Sequence, residues 1–317
     1  MIYALITLLL FGLLLGYFRI ADRFNIIDKP NNRSSHTAIT IRGGGIVYPF
    51  AMVLYAVFFH DVSAYLLLGM LLISLISFWD DISSLPSRVR IIVHLLAVTA
   101  LLWSVNAFQL LPIWLIPIVY VFIIGIINAY NFMDGINGIT GLYSLTILCS
   151  LLYVNEYVVA FADSDFIICP ILASLVFLFF NFRKKAKCFA GDVGSVSIGF
   201  WILTLLLMLI LKTESLTYIL FLAVYGVDTV LTIIHRLILR QNIFEPHRLH
   251  FYQILANERK VPHLVVSGLY ALVQLLVNGL VLFSSLDFIY IFVLVALPLV
   301  MIYIIVKPLL MPKRVLS

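Results

Sequence analysis

Apolar runs bounded by polar clusters divide the chain at 1–18, 43–60, 64–79, 91–106, 112–128, 138–155, 165–182, 195–211, 216–235, 263–284 and 287–306. A helix needs about 20 mostly apolar residues to cross the hydrocarbon core of a bilayer. Several of these runs are short, and the count falls to ten if one outer hairpin is misread. The pattern predicts an all-α, polytopic integral membrane protein with about 11 (10–11) transmembrane helices in a single membrane-embedded domain over 1–317. No tandem repeat, low-complexity linker or soluble domain interrupts it. The first run has no basic n-region, its first charge being Arg19, and no Ala-x-Ala-like site follows. It is expected to stay as a membrane helix and not to be cleaved as a signal peptide.

Composition agrees. Hydrophobic residues make up 63% of the chain and charged residues 11%, against roughly 25% charged in soluble domains. The basic residues fall almost entirely in alternate loops: 19–42, 80–90, 183–194, 236–262 and the tail, with Lys212 alone on the other side. Basic loops stay cytoplasmic, so the amino terminus is expected outside and the carboxyl terminus in the cytoplasm. The same rule accounts for the net charge of +5 without a nucleic-acid partner. The outer loops are short and offer no obvious chemistry. Cys149, Cys169 and Cys188 have no metal-like spacing and read as structural.

Candidate chemistry gathers at the cytoplasmic ends of the spans. Asp80-Asp81 ends the third run, where a negative helix dipole makes two adjacent carboxylates unfavourable without a cation; the plain alternative is an interfacial cap, with Asp81 or Ser83 opening the next helix. Asn128, Asn131 and Asp134 recur every third residue before Gly135, and the glycines at 135, 138 and 141 let backbone approach a ligand or another helix. Asp192, between Gly191 and Gly194, is either an ordinary N-cap or a carboxylate presented to a metal. Loop 236–262 holds His247-Arg248-Leu249-His250, two histidines three apart with an arginine between, suited to phosphate. Asp228, inside a span, is a functional candidate by default or the partner of Arg88 or Arg236. Gly43-Gly44-Gly45 can cradle an anion, but no Walker sequence occurs. Carboxylates and amides in this arrangement suit a divalent cation and a phosphorylated substrate, and the apolar body suits a lipid.

In their order along the chain, the Asp28-x-Pro30-x-x-Arg33-x-Ser35-His36 and glycine stretch, the Asp80-Asp81 pair, Asn128-x-x-Asn131-x-x-Asp134-Gly135-x-x-Gly138, Gly191-Asp192-x-Gly194-Ser195 and the final histidine motif resemble the polyprenyl-phosphate N-acetylhexosamine-1-phosphate transferases. The resemblance covers essentially the whole chain. It implies a Mg²⁺-dependent enzyme (Mn²⁺ as the alternative ion) of the inner membrane, with its active site facing the cytoplasm. Such an enzyme moves an N-acetylhexosamine-1-phosphate from a UDP-sugar such as UDP-GlcNAc to undecaprenyl phosphate, releasing UMP and starting a cell-envelope glycan. By similarity, Asp192 and Asn131 are the expected metal ligands and Asp80 and Asp81 lie beside the lipid phosphate. Asn128 and Asp134 bind the nucleotide or order the metal shell, and His247, Arg248 and His250 contact the diphosphate or sugar. The polyprenyl tail is expected in a groove near the eighth and ninth spans. A homodimer is compatible with this family. The His-Arg-Leu-His form, and Ser84 where the peptidoglycan translocase carries a lysine, resemble the branch that initiates O-antigen and capsule. The rival reading is a multi-span transporter of a phosphorylated metabolite or lipid. It fits less well, because transporters place their polar groups near the bilayer midplane in related halves.

Overall fold

The computed structural model describes residues 1–28, 39–242 and 248–311. Its helices are α1 (Ile2–Arg23), α2 (Val47–Phe59), α3 (Ala64–Ile82), α4 (Ser87–Ser104), the short α5 (Ala107–Leu110), α6 (Ile116–Met133), α7 (Ile139–Tyr157), α8 (Ser164–Asn181), α9 (Gly191–Thr213), α10 (Ala223–Ile238), the single turn α11 (Phe251–Gln253), α12 (His263–Phe283), α13 (Phe288–Met301) and the short α14 (Lys307–Leu310). Among the described residues ten helices are long and apolar enough to cross a membrane. In two of these α10 is extended backwards to Leu216 and α13 runs on to Leu310. A shorter apolar helix, Gly44–Phe59, falls on the second run expected from sequence. The polytopic all-α architecture is as expected, apart from a two-stranded antiparallel ladder, β1 (Ile27–Asp28) with β2 (Thr40–Ile41).

The hub is α9, buried over most of its length, with α2, α3, α6 and α7 packed against it. It starts four residues earlier than the apolar run suggested, so Gly191 and Asp192 sit in its first turn and not in a loop. One polar residue inside the bundle repairs a break in backbone regularity. The ninth span begins as a 3-10 helix, Leu216–Leu222, before becoming α10. Gln274 takes up the groups freed at that change: its Oε1 accepts from the Val224 amide (3.1 Å) and its Nε2 donates to the Leu220 carbonyl (2.9 Å). Without water to satisfy them, such groups would each cost several kcal/mol in lipid. The end of the bundle opposite the basic loops is less plain than its short loops suggested: Tyr55, His60, Asp61 and Asp163 line a cavity of about 500 Å³.

Candidate active site

The C-terminal ends of α3 and α6 and the N-terminal end of α9 converge under a strap, residues 39–46 of the segment after α1. Asp81, on the last turn of α3, caps α9. Its Oδ1 accepts the Asp192 amide at 2.9 Å and its Oδ2 the Val193 amide at 3.0 Å. A carboxylate at a helix N-terminus satisfies orphan donors and meets the positive end of the dipole. Gly191 makes this possible: its φ is +72°, and a Cβ there would lie 2.5 Å from Asp81 Oδ2. The cap reading of Asp81 therefore holds for the wrong helix, since α4 starts after Pro86 with no side-chain cap.

The strap is pinned by backbone. Gly44 and Gly45 donate their amides to the carbonyls of Phe189 (2.8 Å) and Ala190 (3.0 Å), so these two donors dock the strap and are not open to an anion, contrary to the sequence expectation. Gly45 and Gly194 touch so closely that a Cβ on Gly45 would stand 2.1 Å from the Gly194 Cα. Arg42, just before the glycines, places its Nε 2.7 Å from Asp81 Oδ1 and its Nη2 3.3 Å from Asp192 Oδ1. Tyr17 fixes it from α1 by donating to its carbonyl at 2.5 Å.

Asp192 turns its carboxylate out of the capped turn toward Arg42, with the side chains of Asn131 and Asp80 within hydrogen-bonding reach. Arg90, from α4, lies 2.9 Å from Asp80 Oδ2 and 3.9 Å from Asp192 Oδ2. The other Asp80 oxygen accepts the Leu85 amide at 2.6 Å. The result is three carboxylates interleaved with two guanidiniums. Accessibility separates them: the Asp81 side chain is 0% exposed, those of Asp80 and Asp192 are 11% and 18%. Asp80 and Asp192 can meet a ligand, whereas Asp81 is committed to the scaffold. Burial pulls the Arg42 guanidinium down, but Asp81, Asp192 and Asp28 more than offset this and leave its pKa raised. Asp134, in the turn after α6, has a pKa pushed up to about 7, chiefly by burial and further by Asp192. Thr140 donates to it at 2.6 Å and, with Arg42, works the other way.

Asp80, Asp81, Asn131, Asp134 and Asp192 are thus brought together. Asn128 points into its own helix, donating to the Ile124 carbonyl at 2.8 Å. His247 lies outside the described residues. Arg248 is half-buried. His250 is buried, with Nδ1 3.3 Å from Asp228 and its ring stacked on Tyr252. Asp228 is an anchor for this segment: it accepts the Phe251 amide (3.0 Å) and the Tyr270 hydroxyl (2.7 Å). Tyr252 in turn donates to the Phe132 carbonyl at 2.9 Å and fills the space a Gly135 side chain would occupy. Sequence reasoning missed Arg42 and Arg90 as members of the cluster, because both had been assigned to membrane topology. It also missed Asn181, whose Oδ1 accepts the Gly138 amide (2.6 Å) while its Nδ2 donates to the Cys188 carbonyl (2.8 Å), joining the α6–α7 turn to the α8–α9 turn.

An apolar pocket of about 170 Å³ lies between α10, α12 and the final span, lined by Val227, Leu269, Val273 and Leu299. It borders the ninth span and not the eighth.

Residues 63–210, which include every cluster member except Arg42, match the profile of glycosyl transferase family 4. The chain is 27% identical over 259 residues to a probable undecaprenyl-phosphate N-acetylglucosaminyl 1-phosphate transferase of Bacillus subtilis, covering 74% of this chain and 70% of the relative. It is 25% identical over 248 residues to the undecaprenyl-phosphate alpha-N-acetylglucosaminyl 1-phosphate transferase of Thermotoga maritima, covering 75% of each. A phospho-N-acetylmuramoyl-pentapeptide-transferase of Streptococcus suis matches at 34% over 118 residues, 36% of this chain and 33% of the relative. The chain is thus similar, over just under half of its length, to glycosyl transferase family 4 and, along about three quarters of it, to undecaprenyl-phosphate N-acetylglucosaminyl 1-phosphate transferases.

Proposed function

We propose that the protein transfers N-acetylhexosamine-1-phosphate from a UDP-sugar to undecaprenyl phosphate at the cytoplasmic face of the inner membrane, releasing UMP. The observation that carries this reading is the pair of accessible carboxylates, Asp80 and Asp192, set among two guanidiniums at one end of an apolar helical bundle. An oxygen of the lipid phosphate attacks the β-phosphorus of the donor. The bond from that phosphorus to the bridging oxygen breaks, and the electron pair leaves with UMP. Such transfer depends on positioning and charge neutralisation more than on covalent chemistry. Relatives that cover about three quarters of this chain support an N-acetylglucosamine donor over a peptidoglycan one. Polar groups gathered at one end, not at the midplane, favour the enzyme over a transporter.

The donor set fits a hard divalent cation such as Mg²⁺. Asp192 and the side-chain amide of Asn131, which hydrogen-bonds to it, lie side by side with Asp80 in reach, so a carboxylate and an amide group are at hand for the ion. Among the described residues no three His, Cys, Asp or Glu side chains form a closed cage, and Mg²⁺ prefers a few protein oxygens with retained waters. Bound there, the ion would neutralise charge on the diphosphate. Arg42 and Arg90 flank the same space and orient anionic oxygens. Asp80 positions the lipid phosphate, which is already ionised at neutral pH and needs no strong base.

The test is UMP release by the purified protein with undecaprenyl phosphate, Mg²⁺ and a panel of UDP-sugars. Release requiring lipid, metal and one sugar is expected. No release with any sugar of the panel overturns the reading.

A further inference from the structure

The last span carries a polar chain that the transferase chemistry does not use. Lys307 is buried, 1% exposed. Its ammonium donates to the Tyr303 hydroxyl and lies over the Tyr303 ring. That hydroxyl shares a 2.6 Å hydrogen bond with Thr232, whose Oγ1 lies 3.2 Å from Asp228 Oδ1. An ammonium only donates and a carboxylate only accepts, so the two hydroxyls between them are ordered in one direction, Lys307 to Tyr303 to Thr232 to Asp228. Asp228 is also the acceptor for the Phe251 amide and faces His250.

Two further contacts join the same partners. Arg259 donates to the carbonyls of Leu309 (2.7 Å) and Leu310 (3.0 Å), and Met311 packs with Leu249 and Ile254. Both sides of the junction leave regular helix: Ile302–Val306 and Ile254–Glu258 are π turns. A π turn inserts a residue and re-aims the side chains that follow. In the last span it sits where Tyr303 and Lys307 turn inward, one turn after Pro298.

We propose that the end of the last span is the clamp that sets Arg248–Gln253 against the Phe132–Gly135 turn, with Tyr303 and Lys307 as positioning residues acting through Thr232 and Asp228. The clamp transmits to the transferase site through Tyr252, which bonds Phe132 and packs on Gly135, next to Asp134. The expected effect on donor binding rests on the transferase reading and on the sequence resemblance that sets Arg248 and His250 beside the diphosphate or sugar.

Tyr303→Phe removes the relay and keeps the ring. In the purified full chain, hydrogen–deuterium exchange at the Phe251 amide is expected to speed up about fivefold, the worth of one hydrogen bond. The KM for the UDP-sugar should rise by a similar factor, while kcat and the KM for polyprenyl phosphate stay within twofold. Lys307→Met should act in the same direction. Should Tyr303→Phe fail to fold, Arg259→Gln releases Leu309 and Leu310 from the exposed side and is read in the same way. Faster exchange with unchanged KM supports the clamp and removes Arg248–Gln253 from the donor site. Unchanged exchange at Phe251 in a folded variant overturns the clamp.

Discussion

Three aspartates at the site carry three different burdens. Asp81 caps two amides of α9 and pairs with Arg42 while fully enclosed. Asp81→Asn should therefore cost on the order of 2 kcal/mol of stability, since it strips the charge from a buried pair. A lower midpoint in thermal unfolding checks this. Asp80→Asn and Asp192→Asn alter carboxylates that reach the surface, so each should cut UMP release by about 100-fold or more with an unchanged midpoint, as expected when charge stabilisation of several kcal/mol is lost. Equal midpoints for all three variants, or near-normal turnover in the last two, would sink the division. Residue type made the carboxylates and amides visible in the sequence, but not their burial. His250 looked like a ligand for phosphate and turns out to be enclosed beside Asp228. Arg42 and Arg90 were hidden because topology alone explains a basic loop, and nothing in spacing separates an anchor from a counter-ion.

Elements were legible where lipid imposes one answer. Each apolar run became a helix because a bilayer leaves the backbone no other partner, although the second is short for a span. Boundaries slipped where glycine confers helix starts that composition does not mark, as at Gly191. The strap was illegible for another reason. Its strands are two residues long, and its hold on the core comes from glycine amides reaching a distant segment. Adding one methyl at that contact tests it: Gly45→Ala puts a Cβ 2.1 Å from Gly194 Cα and 2.8 Å from the Ala190 carbonyl oxygen. The backbone cannot move aside cheaply, so a loss of about 1–3 kcal/mol is expected, read as a lower unfolding midpoint. An unchanged midpoint would mean that the strap yields.

For the molecule as a whole, the cluster and the basic loops lie at the same ends of the helices, and the positive-inside rule predicts that this end faces the cytoplasm. Cysteines introduced at Lys185 and at Glu214 should be labelled from opposite sides by a membrane-impermeant maleimide. Lys185→Cys should react only in inside-out vesicles and Glu214→Cys only in right-side-out ones; the reverse pattern would invert the orientation. The bundle was readable from hydropathy. The assembly of the site was not, because it depends on contacts between segments far apart in the chain.

That distance has a temporal consequence. The strap's glycines are made long before Phe189 and Ala190 exist to accept their amides, because nearly half the chain lies between the two segments. At about 5–20 residues per second the delay is on the order of ten seconds. During biogenesis the early helices wait in the bilayer with Asp81 lacking the two amides it caps, and the site is complete only when α9 inserts.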